Sequence, residues 1–118
     1  FLGILPTGYR YTFEFRDPDW FDEEVYALLE KYGAAFCIYD LNRSTSPRQV
    51  TTDFVYIRLR GPGAPYKGKY DPQTLAGWAG AITQWNRQGQ EVFCYFNNDH
   101  REYAPQNALQ MKKMLEGE

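Results

Sequence analysis

Residues 35–40, AFCIYD, are apolar on both faces of an extended chain until Asp40 closes the run. A strand of that kind needs cover on both sides, which parallel sheets obtain from crossover helices. Three further strand-like runs stand in line with it. In YTFEFR, residues 11–16, Tyr11, Phe13 and Phe15 share one face and Thr12, Glu14 and Arg16 the other. In FVYIRLR, residues 54–60, Val55, Ile57 and Leu59 share one face and Tyr56, Arg58 and Arg60 the other. EVFCYFN, residues 91–97, is the fourth run.

Helical patterns separate these runs. After the turn DPDW, Asp22 is the expected N-cap, with Glu23 and Glu24 in the first turn, where the helix dipole favours acids. Val25, Leu28, Leu29 and Tyr32 form the expected apolar stripe, and Gly33 the stop. Asp71 followed by Pro72 opens a second helix, with Leu75, Trp78, Ala79, Ile82 and Trp85 as its stripe and Gly89 as its end. A third runs from about Pro105 to Leu115, its inner face carrying Ala108, Met111 and Leu115. Leu41 to Asp53 is polar without a period and reads as a loop with room for one short helical turn. The order strand–helix–strand–loop–strand–helix–strand–helix predicts an α/β fold of parallel strands joined by right-handed crossovers.

A chain of 118 residues suits one domain, residues 1–118. With 18% aromatic and 43% hydrophobic residues it has ample apolar surface to bury, which argues against disorder. A net charge of -2 and a pI near 5.4 disfavour a general nucleic-acid or membrane-surface binder, while a local basic cleft stays open. No apolar run approaches the roughly 18 residues of a membrane span, and no basic-then-apolar leader is present. The expectation is a soluble protein of the cytoplasm. Cys37 and Cys94 fall in strand-like runs outside any C-x-x-C pair and read as small buried hydrophobes, with a metal or redox role as the alternative. On strands two apart their Cα atoms would lie about 9–10 Å from each other, beyond the roughly 7 Å that a disulfide spans. The opening FLGILPTGYR reads as the end of a helix entering a turn at Pro6-Thr7-Gly8, a cut edge and not a natural start.

Five strings in order, FEFRDPDWF, TTDFVYIRLRGP, YKGKY, LAGWA and YFNND, resemble the YecE-like family, a domain of unknown function. The resemblance runs from about Tyr11 to Leu115. It implies a TIM-barrel fold, and because family members are about twice this length, it implies the C-terminal half: strands five to eight, about four βα units. It implies almost nothing about chemistry, since one barrel fold hosts many reactions.

Polar residues end every strand: Arg16, Asp40, Arg60 and Asn97. The C-terminal ends of parallel strands are where such folds place their sites. Across a barrel interior, Glu14 is expected to face Arg58, and Arg16 to face Arg60. Two readings stay open. One is a buried network of Arg16, Arg58 and Arg60 with Glu14, Asp40 and Asp99, since a buried ion costs several kcal/mol unless paired. The other is a set of arginines held ready for a carboxylate or phosphate, which the planar guanidinium fork suits. In the loop GPGAPYKGKY, residues 61–70, Gly61, Gly63 and Gly68 allow close backbone approach, Lys67 and Lys69 add charge, and Tyr66 and Tyr70 are candidates for stacking on a ligand. The alternative is a flexible surface turn, and no Walker or G-x-G-x-x-G pattern is present. Asn97, Asn98 and Asp99 form a turn or cap, or orient a polar ligand group through their amides. His100 reads as incidental, and Trp20, Trp78 and Trp85 as packing residues. A metal held by Glu14, Asp40 and Asp99 is set aside, because the arginines would repel a cation and no histidine spacing supports it.

The leading expectation is a site for a sugar-phosphate, carboxylate or nucleotide-like anion. Arg16, Arg58 and Arg60 hold it, with Asp40, Tyr66, Lys67, Tyr70, Asn97 and Asn98 around it and Glu14 and Asp99 as catalytic candidates. The rival is a non-catalytic binding or structural protein. The sequence names no cofactor. The expected partner, besides a small anionic ligand, is the other half of the barrel or a second copy, because half a barrel leaves two sheet edges open.

Overall fold

The computed structural model describes residues 9–41, 44–61, 69–98 and 103–116. Its elements are β1 (Thr12–Phe13), a 3-10 turn (Pro18–Trp20), α1 (Glu23–Tyr32), β2 (Ala35–Leu41), β3 (Ser44–Thr45), β4 (Phe54–Leu59), α2 (Pro72–Arg87), β5 (Glu91–Phe96) and α3 (Tyr103–Glu116). Four strands lie parallel in the order β1-β2-β4-β5, and β3 pairs antiparallel with the end of β2. This is an α/β fold with parallel strands and alternating helices.

The caps sit where the side chains favour them. Asp22 accepts the Val25 N–H, and Asp71 accepts the Thr74 N–H with Pro72 behind it. Gly33, at φ 65°, takes the left-handed conformation that ends α1. The two-residue periodicity of β4 divides its faces as expected. Val55, Ile57 and Leu59 join Phe36 and Ile38 of β2 in a core covered by Tyr26 and Leu29 of α1, by Leu75, Trp78 and Ile82 of α2, and by Met111 of α3. The opposite face of the sheet carries Cys37, Tyr56, Arg58 and Tyr95. Among the described residues, no helix is long and apolar enough to cross a membrane.

Five expectations need correction. β1 is a two-residue ladder, not Tyr11–Arg16, because β2 is its one described neighbour. The run 41–53 is not simply a loop, since Ser44–Thr45 pairs with Asp40 and Leu41. Ser46 and Thr51 of that run are buried and bond the β2 backbone at Tyr39 and Phe36 and, just before the strand, at Ala34. In α1, Tyr26 and Leu29 face the core, whereas Leu28 and Tyr32 are 48% and 45% exposed. In α3, Ala104, Asn107 and Met111 are buried and Ala108 is exposed. Trp20 is 52% exposed and stacks on Phe15, whereas Trp78 is in the core.

Cys37 and Cys94 are both free thiols. Cys37 pairs in register with Tyr56, and Cys94 with Ile57, so β4 lies between them and they point to opposite faces.

Candidate functional site

Three backbone ladders bring distant residues to one place. Glu14 follows β1 directly, on the face that alternation assigns to it. Beyond the assigned ends of β4 and β5 the ladder continues by one bond each: the Arg60 N–H donates to Asp40 O at 2.8 Å, and the Asn97 N–H to Leu59 O at 2.8 Å. Arg60 and Asn97 are therefore held as rigidly as strand residues.

Glu14 is the hub. Its Oε1 accepts from Arg60 Nη2 at 2.7 Å and from Arg58 Nη1 at 3.3 Å, and its Oε2 accepts from Arg16 Nε at 3.0 Å. The expected pairing of Arg16 with Arg60 across the interior is replaced by convergence of all three guanidiniums on one carboxylate. The four partners differ in access: the Arg60 side chain is 2% exposed, Glu14 17%, Arg58 31% and Arg16 54%. Arg60 thus forms the buried back of the cluster, and Arg58 and Arg16 its accessible front. Asn97 Oδ1 accepts from Arg58 Nε at 3.1 Å, which steers the guanidinium and leaves the amide nitrogen of Asn97 as its donor end. Cys37 Sγ lies 3.6 Å from Glu14 Oε1. Burial first, and then the charge of Glu14, push this thiol up to about 12, so it stays protonated and poorly nucleophilic.

A second network sits behind the first. Asp40 Oδ2 accepts from the Tyr70 hydroxyl at 2.8 Å, and its Oδ1 from Thr45 Oγ1 at 2.9 Å. The same Tyr70 hydroxyl accepts the Gly61 N–H at 2.9 Å. Gly61 has φ 130°, a conformation suited to glycine, and it directly follows Arg60. Tyr70 is 1% exposed and its ring packs on Phe96, so the ring belongs to the core and does not face the mouth. Burial raises its phenol strongly, which keeps the hydroxyl a donor to Asp40. Asn98, 0% exposed, donates through Nδ2 to Asn107 Oδ1, which also takes the Tyr70 N–H at 2.9 Å. Asn107 Nδ2 donates back to Tyr70 O at 3.1 Å.

Of the candidates read from sequence, Glu14, Arg16, Arg58, Arg60 and Asn97 meet in one cluster. Asp40, Tyr70 and Asn98 stand in the bracing network beside it. Asp99, Tyr66 and Lys67 lie outside the described residues, and Lys69 is exposed. Among the described residues, no three His, Cys, Asp or Glu side chains gather as a metal site would require. Asn107 and Cys37 were not foreseen at the site. The signal for Asn107 is a polar residue on the apolar stripe of α3, between Ala104 and Met111.

The sequence matches the family described as "Protein of unknown function DUF72" over residues 1–118. The chain belongs to the DUF72 family. A DUF72 family protein from Thermotoga maritima, of known structure, is 31% identical with a TM-score of 0.84. The match covers 92% of this chain and 47% of that one. Two structures of a DUF72 family protein from Enterococcus faecalis share the fold at 22% and 23% identity, with TM-scores of 0.82 and 0.80. They cover 93% of this chain in both cases, and 48% and 50% of those chains. The DUF72 chain described here spans about half the length of these solved relatives. No curated protein matches it.

Proposed function

We propose that this DUF72 chain forms one half of an eight-stranded βα barrel and that its polar cluster binds a small anion at the C-terminal ends of the strands. The ligand class is a sugar-phosphate, a carboxylate or a nucleotide-like phosphate. The observation that carries the reading is three guanidiniums gathered on the single carboxylate of Glu14, with Arg58 and Arg16 at the accessible front. The planar, bidentate donor fork of the guanidiniums at that front suits a carboxylate or a phosphate. Asn97 supplies an amide donor beside Arg58 for a neutral oxygen of the same ligand. The half-barrel reading is supported by four parallel strands, half the number of a TIM barrel. Arg10, just before β1, reaches over the rings of Phe54 and Phe93 to pair with Glu91 at the start of β5 at 2.8 Å, which fits a sheet that curves as barrel strands do.

A second reading rests on the burial of Arg60 and the full occupation of Glu14. In that reading the cluster is a structural network and binds nothing. Arg58→Met separates the two. Titration of inorganic phosphate, followed by calorimetry, is expected to show saturable binding to the unaltered chain and a loss of about tenfold or more in affinity for the variant, the scale of one charge-assisted contact. Thermal stability is expected to change little, since Arg58 is partly exposed and Glu14 keeps two other guanidiniums. No phosphate or carboxylate binding to the unaltered chain, together with a large stability loss in Arg58→Met, favours the structural network instead.

A further inference from the structure

The two carboxylate oxygens of Glu14 are used unequally. Oε1 accepts from Arg60 Nη2 at 2.7 Å and from Arg58 Nη1 at 3.3 Å, so both of its lone-pair directions are taken. Among the described residues, Oε2 accepts from Arg16 Nε alone, at 3.0 Å, which leaves it one acceptor direction. Arg16 is the most exposed of the three arginines, so Oε2 is the oxygen turned to the accessible front.

The donors beside that oxygen are held in place. Asn97 fixes Arg58 at Nε and Glu14 fixes it at Nη1, while nothing among the described residues engages its Nη2. A guanidinium only donates, so the Asn97 amide must turn its oxygen to Arg58 and carry its Nδ2 donor on the other side. Arg58 Nη2 and Glu14 Oε2 are each joined through one carbon to the pair in contact at 3.3 Å, so one tetrahedral oxyanion reaches both. The neighbouring acceptors are committed elsewhere. Asn97 Oδ1 takes Arg58 Nε, and the two oxygens of Asp40 take the hydroxyls of Thr45 and Tyr70.

We propose that Glu14 is the specificity-determining residue of this site and selects an oxyanion that still carries an O–H, with hydrogen phosphate as its simplest form. This rests on the anion-site reading above and narrows its ligand class. Oxygens of the anion accept from Arg58 Nη2 and Asn97 Nδ2, and its O–H donates to Glu14 Oε2. An ionised carboxylate accepts only, so an anion without an O–H sets bare oxygen against bare oxygen. It forfeits a charge-assisted hydrogen bond and meets repulsion in its place. A site that accepts from a ligand hydroxyl rejects the analogue lacking it for this reason. Arg60, 2% exposed, serves as a positioning residue, because it anchors Oε1 from behind and so sets the direction of Oε2.

Calorimetric titration of the 118-residue chain near neutral pH with phosphate and with sulfate, tetrahedral anions of like size, tests this. Phosphate retains an O–H at that pH and sulfate has none. Phosphate is expected to bind about tenfold or more tightly than sulfate. In Glu14→Gln the amide can turn an N–H to the ligand, and the ratio is expected to fall to about threefold or less. Far-UV circular dichroism checks that this variant is folded. If it is not, monofluorophosphate decides the matter on the unaltered chain. It has the charge and shape of hydrogen phosphate with fluorine in place of the hydroxyl, and it is expected to bind as weakly as sulfate. Monofluorophosphate binding as tight as that of phosphate overturns the proposal. Equal affinity for phosphate and sulfate overturns it and leaves the anion site standing. An unchanged ratio in folded Glu14→Gln also overturns it, since another residue then makes the choice. Binding of neither anion removes the site itself, and this inference with it.

Discussion

Asn107 illustrates how much one buried amide can hold. It is 0% exposed and satisfies the backbone N–H and C=O of Tyr70 as well as the side chain of Asn98. Tyr70 in turn engages Asp40 and Gly61, which adjoins Arg60. Asn107→Ala removes the partner of two main-chain groups and is expected to cost about 2–3 kcal/mol, the price of stranding buried polar groups. Urea unfolding monitored by circular dichroism measures it. A loss below about 0.5 kcal/mol, the range of neutral surface changes, means that water replaces the amide. This residue could be flagged in the sequence as a polar break in an apolar stripe, but its partners could not be read there. They come from the end of β5 and from the loop after β4, which no local pattern connects to α3.

At the scale of elements, local chemistry decided most of the outcome. Asp22 and Asp71 cap α1 and α2, and Gly33 ends α1, because each signal acts within four residues of itself. Asp22→Ala is expected to cost about 1 kcal/mol through loss of the bond to the Val25 N–H, with Asp22→Ser retaining most of it. Denaturant midpoints of the two variants check this; equal midpoints would show that tertiary packing, not the cap, holds α1. The stripe of α1 was only half legible. Leu28 and Tyr32 recur at helical spacing as well as Val25, Tyr26 and Leu29 do, and the position of β2 decided which set faces the core. β3 escaped the sequence reading because two residues are too few for a period.

For the molecule as a whole, two thiols and four phenols share one electrostatic tendency. Burial raises the thiols of Cys37 and Cys94 from 9.0 to about 12, and it also raises the phenols of Tyr26, Tyr39, Tyr56 and Tyr70 above their ordinary 10.0. Each group is therefore neutral in the fold at a pH where the unfolded chain has already ionised. The sign follows: stability from these groups is complete below pH 9 and falls as the pH climbs from about 9 through about 12, because the unfolded state then binds fewer protons. Thermal melts across this range are expected to show a steep drop. The native thiols are expected to resist alkylation at pH 8 and to react on unfolding. Rapid alkylation of Cys37 in the folded chain at that pH would mean that the region around Glu14 is open to water.

Periodicity, caps and turn residues let the sequence by itself determine the order of elements, the two faces of β4 and the charged ends of the strands. All of these follow from dihedral preference and from burial of one side of a short segment. Tertiary structure alone decided that Glu14 gathers Arg16, Arg58 and Arg60 together, that Tyr70 turns inward to Asp40, and that Asn107 ties them to α3. Those contacts join residues up to 46 positions apart, and their partners are selected by strand order and register. Neither is encoded within the reach of a single turn or strand.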